Sequence, residues 1–98
     1  MNVRVIKSKR DVVAVCDSEL IGKKFEEGKF QLDIKENFFS GKEMNEEETI
    51  EVMQKMADED ATFNIVGEKS INAALKAGII VEESVCEVQG IPFVLVLI

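Results

Sequence analysis

The sequence predicts an α+β domain, with two or three helices packed on a mixed, mostly antiparallel sheet of about five strands. Three observations carry that expectation. Short runs rich in Val, Ile and Phe recur along the chain, two stretches repeat apolar residues at helical spacing, and Gly, Asp and Ser punctuate the boundaries between them. Ninety-eight residues can bury one core but not two independently stable ones, so residues 1–98 are read as a single compact domain. A content of 46% hydrophobic and 32% charged residues, with one Pro, belongs to a folded chain and not to a disordered one.

Taken in order, residues 3–7 read as a strand with Val3 and Val5 on one face, and residues 8–11 as a polar tip. Residues 12–16 are apolar on both faces, which marks a central strand, so the two runs form a hairpin. Asp17 or Ser18 can cap a short helical segment at residues 19–21 that stops at Gly22, and Phe25 precedes a turn at Gly28. Residues 30–35 alternate as a strand with one buried and one wet face does, and Phe38 and Phe39 close it in a turn that covers the open end of the core. Asn45 and Glu48 have capping-box spacing, and Ile50, Met53, Met56 and Ala57 line one side of a helix from Glu46 to Asp58. At that spacing the methionines read as core. The acidic residues 58–60 lack the ligand spacing of a calcium loop and read as a solvated helix end. Residues 79–81 are extended, residues 82–84 turn, and residues 85–88 pair through Gln89 and Gly90 with a final strand over residues 91–98.

A second helix is organised around residues 63–78. Ile71, Ala74 and Leu75 form its apolar face, Gly78 stands where a left-handed C-cap is wanted, and Asn64 is the expected cap for its first-turn amides. Gly67, Lys69 and Ser70 then gather at a helix N-terminus, where free amides can hold an anion. The order Gly67-Glu68-Lys69-Ser70 does not make a phosphate-binding loop, because Glu68 separates the glycine from the lysine and no glycine stands five residues before Gly67. The plainer reading is that Gly67 permits close packing and Lys69 is solvated.

Nineteen acidic residues against twelve basic give a net charge of -7, a field that repels nucleic-acid backbone over most of the surface. Seven of the twelve positive charges, Lys23 and Lys24 among them, fall in the first thirty residues, which leaves room for a local basic patch. The chain has no His, which removes imidazole general bases, Ser-His and Cys-His pairs and histidine-bearing zinc sites. Cys16 and Cys86 stand alone, and Asp17 directly after Cys16 disfavours its thiolate. No catalytic, cofactor-binding or metal-binding residue is therefore assigned. No signal segment follows Arg4 and Lys7, and no apolar run has the length of a membrane span; the expected compartment is the cytoplasm, with both thiols reduced and buried.

The run from Val13 through Asp17, Glu19-Leu20, Gly22-Lys23, Phe25 and Glu27-Gly28, followed by Asn64, Val66-Gly67-Glu68 and finally Gly90-Ile91-Pro92, resembles the archaeal family catalogued as domain of unknown function 424. The resemblance spans nearly the whole chain. It implies a small archaeal housekeeping protein with a suggested link to RNA or translation, and it carries over no catalytic or cofactor residue. It also implies a His just after Gly90-Ile91-Pro92, where this chain has Phe93. The leading expectation is a non-enzymatic binding module for RNA or a protein, using the first thirty residues together with Asn64, Gly67, Lys69 and Ser70; Lys23 and Lys24 belong to the same surface. The alternatives are a small enzyme with a carboxylate, Lys or Cys site, and a structural subunit of an oligomer. Residues 93–98 are apolar without interruption, so both faces of that strand need cover, and a homodimer burying it is expected.

Overall fold

The computed structural model of the chain describes residues 1–97. It is an α+β fold, with a six-stranded sheet in the order β5-β1-β2-β6-β8-β7 and a separate two-stranded hairpin, β3-β4. The strands are β1 (Asn2–Ile6), β2 (Val12–Cys16), β3 (Lys24–Glu27), β4 (Phe30–Asp33), β5 (Lys42–Glu43), β6 (Thr62–Val66), β7 (Cys86–Val88) and β8 (Ile91–Val96); the helices are α1 (Glu36–Phe39), α2 (Glu46–Asp58) and α3 (Glu68–Ala77). Within the large sheet only β2 and β6 run parallel, with Cys16 opposite Val66 at their C-terminal ends.

Residue alternation decides which layer each strand feeds. Val13, Val15, Phe63, Ile65 and Val94 point to the first face and meet Met53 and Met56 of α2 with Ile71 and Ala74 of α3. Ala14, Cys16 and Val66 point to the second face, which is covered at one end by Ile34 and Phe39, with Phe25, Leu32 and Phe93 packed around them. Thus β2 and β6 are buried on both sides, as their unbroken apolar runs require.

Several expectations hold in detail. The β1-β2 hairpin, the α2 boundaries, the β7-β8 hairpin and the left-handed cap at Gly78 (φ 78°, ψ 16°) are all present. Others are corrected. Residues 30–35 do not join the main sheet; β4 pairs with β3, Phe30 at its start is 72% exposed, and the strand stops at Asp33. Phe38 and Phe39 belong to the short α1 and not to a turn, and their rings meet edge to face. Cys16 is buried as expected, whereas Cys86 is exposed, because β7 is an edge strand.

Candidate functional site

The chain leaves β2 toward the second face and leaves β6 toward α3 on the first, so the C-terminal ends of these two parallel strands open on a crevice. In open sheets with helices on their faces, ligands enter at such a divergence. Here the chain fills the place itself. Gly67 is the residue before α3, at φ 106° and ψ 154°, and an added Cβ would lie 2.3 Å from the Asp17 side chain. Asp17 comes from the end of β2, is 3% exposed, and accepts from Lys69 N at 3.0 Å, Ser70 N at 2.8 Å and Ser70 Oγ at 2.7 Å. The orphan amides and dipole of the helix thus meet an internal carboxylate.

Asn64 does not cap this helix. It lies within β6, opposite Ala14 and Leu95, three residues before the actual cap position at Gly67. Nor does Asp17 cap the single 3-10 turn at Ser18–Leu20, since its carboxylate is turned to α3. Beside it, Glu43 accepts from the N-terminal ammonium and from Ser18 Oγ at 2.6 Å, and those bonds hold its carboxyl below the usual range. Cys16 is shut inside the sheet; burial, with Asp17 and Glu19 adding to it, pushes its thiol up to about 12. Such a thiol is no nucleophile at neutral pH.

A second place is built differently. Between the open part of the second face and the β4-α1 segment lies a cleft of about 550 Å³, within the range of small-ligand sites. Asn64, Val66, Phe93 and Leu95 form its sheet side; Gln31, Asp33, Lys35, Asn37 and Phe38 form the other. The Asn37 carbonyl accepts from the Arg4 guanidinium, which fixes the start of α1 against β1. The side-chain amides of Asn37 and Asn64 have no hydrogen-bond partner among the described residues. Lys23 and Lys24 are exposed at the base of the hairpin: Ile34 N donates to Lys23 O, and Lys24 pairs across the ladder with Asp33 of the cleft wall.

With this architecture in view, the family model described as "Protein of unknown function (DUF424)" matches residues 6–98. The chain belongs to that family. The crystal structure of an uncharacterized conserved protein from Methanopyrus kandleri is similar to it, at 25% identity and a TM-score of 0.85, over 96% of this chain and 87% of that one. No curated protein matches the chain.

The fold therefore divides the residues singled out from this DUF424 sequence. Gly67, Lys69 and Ser70 gather at the helix start, where Asp17 already occupies two of the main-chain donors, Lys69 N and Ser70 N. Asn64 goes to the cleft, and Lys23 and Lys24 flank its hairpin wall. Sequence reading missed Asn37, Gln31 and Lys35 as cleft residues, because only the folding of the hairpin over the sheet brings them to Asn64. Phe93, where the resemblance implies an imidazole, lines the same cleft. Among the described residues there is no metal-binding cluster, and no helix is long and apolar enough to cross a membrane.

Proposed function

We propose that this protein is a cytoplasmic, non-enzymatic binding module that receives unpaired bases of single-stranded RNA in the cleft. The observation that carries the reading is a pair of water-accessible amides without a partner among the described residues, Asn37 and Asn64, set beside the rings of Phe38 and Phe93 in one cavity. Aromatic faces stack on unpaired bases, and amides match their hydrogen-bonding edges. With a net charge of -7, phosphate contacts supply little, so the affinity comes from the bases and the nearby cations, Lys35, Lys23 and Lys24, only orient the strand. The inert Cys16 and the lack of His support the non-enzymatic part of the reading.

Fluorescence anisotropy with short single-stranded RNAs tests it. Asn64→Ala and Asn37→Ala should each weaken binding by about 5-fold, the worth of one amide hydrogen bond. Lys23→Glu with Lys24→Glu should weaken it further, and affinity should fall less steeply with salt than it does for a protein that grips phosphates. Absence of binding even at low salt would reject the RNA reading and leave a protein as the ligand.

A further inference from the structure

The backbone edge of β8 is only partly used. On one side β6 pairs with it from Phe93 to Val96; on the other, β7 pairs with Ile91, Pro92 and Phe93 and then ends. Beside residues 94–97 lies an unfilled lane of about 340 Å³, bounded on its far side by residues 78–81 and Ser84. Leu95 is 53% exposed, Leu97 70% and Val81 60%. The outer strands are guarded in the usual way, β5 by being two residues long and carrying Lys42 and Glu43, β7 by being three residues long with Glu87 at its centre; β5 covers only Asn2 and Val3 of β1, and the stretch of β1 beyond it carries the charged Arg4. The β8 lane has no such guard, since none of the residues lining it is charged.

We propose that the lane is filled by residues 94–97 of a second copy, so that two sheets join through antiparallel β8 strands about a twofold axis. A row of unpaired peptide groups calls for an extended segment, and the segment that lacks a neighbour is itself the apolar end of β8 running on to Leu97, so one twofold contact satisfies both copies. The segment that a copy would bring, residues 94–97, is uncharged, as are the residues that line the lane.

Geometry selects the register. Opposed residues in an antiparallel ladder point to the same face, and Leu95 and Leu97 share the second face. Leu95 must therefore face Leu95 or Leu97 of the partner subunit. The first choice would put Leu97 against Phe93 of the partner subunit, whose outer edge is already taken by β7. The second puts Val96 on the axis and clears β7. Because Leu95 also lines the cleft, the added strand extends the sheet beside that wall.

Sedimentation velocity of the full chain, from low micromolar to the highest soluble concentration, should show a dimer. Leu97→Glu places like charges about the axis and should weaken it by at least about 100-fold, with the circular dichroism of the folded monomer unchanged because the side chain is exposed. Val81→Glu, on the far wall of the lane, should act in the same direction. In a Cys86→Ser background, chains carrying Leu95→Cys mixed with chains carrying Leu97→Cys should form the mixed disulfide faster than either forms its own. A monomer at every concentration would overturn the proposal, as would a dimer indifferent to both glutamates. Faster self-linking of Leu95→Cys would overturn the register.

Discussion

Asp17 is the residue on which the junction of sheet and helix depends. One carboxylate, brought from the end of β2, satisfies two backbone amides and a hydroxyl at the start of α3; the two bonds to Ser70 are buried and the one to Lys69 N is partly so. Gly67 is required for the same reason: its positive φ disfavours any side chain, and a Cβ would collide with the carboxylate. Replacing Asp17 by Ala leaves Ser70 N and Oγ unpaired in a buried place and should cost about 3 kcal/mol in urea unfolding, well above an ordinary surface change. The variant should also regain part of that loss in sulfate, because an external anion can then occupy the helix terminus. A loss under about 1 kcal/mol would show that water replaces the carboxylate without penalty. The sequence offers Gly67, Lys69 and Ser70 as a helix start that can take an anion, with close packing at Gly67 the plainer reading; that the chain's own Asp17, fifty-two residues from Lys69, brings a carboxylate there lies beyond local reading because a parallel strand pairing makes the encounter.

At the scale of elements, legibility follows how local the cause is. The helix α2 could be read to its ends because its signals lie within it: Asn45 Oδ1 accepts from Glu48 N at 2.8 Å, Glu48 Oε1 accepts from Asn45 N at 3.1 Å, and Met53 and Met56 fill the buried side. Asn45→Ala removes the side-chain acceptor and should lower stability by about 1 kcal/mol, with Glu48→Ala costing less because the Asn45 bond survives; equal losses would mean the two bonds act only together. By contrast β3 has Phe25 as its one apolar residue, so Lys24–Glu27 carries no alternation to read. It exists as a strand because Gly28 at φ 59° turns the chain and Phe25 meets Leu32 across the ladder. Asn64, expected as a cap, is placed by its neighbours instead. Its type suits a cap, yet its neighbours Phe63 and Ile65 are needed in the first core, and the strand takes Asn64 with them to the second face.

For the molecule as a whole, the two faces of the sheet are unequal. The first face is closed by two helices, whereas the second depends at one end on a two-stranded hairpin and a four-residue helix and is open beyond them. Two-stranded ribbons are marginal in water, so β3-β4 is held by the burial of Phe25, Leu32 and Ile34 and by a few tethers: Gly22 N to Ile34 O at 2.7 Å at its base, and Gln89 N to Glu27 Oε1 at 2.7 Å near its tip. The central strands have no comparable weakness, since β2 and β6 lose protection only when both layers are lost. Hydrogen exchange should therefore separate two classes of amide. Those of residues 13–16 and 63–66 should exchange only through global unfolding, and those of the hairpin through a cheaper opening, at least about ten-fold faster. Glu27→Ala, which cuts the outer tether, should speed the hairpin amides and leave the central ones in place. Uniform protection at the global value would show that the hairpin is part of the main cooperative unit. If it opens alone, the wall of the cleft that carries Gln31, Asp33 and Lys35 moves with it, and anything bound against Asn64 must slow the exchange of β4 before it slows that of any strand in the large sheet.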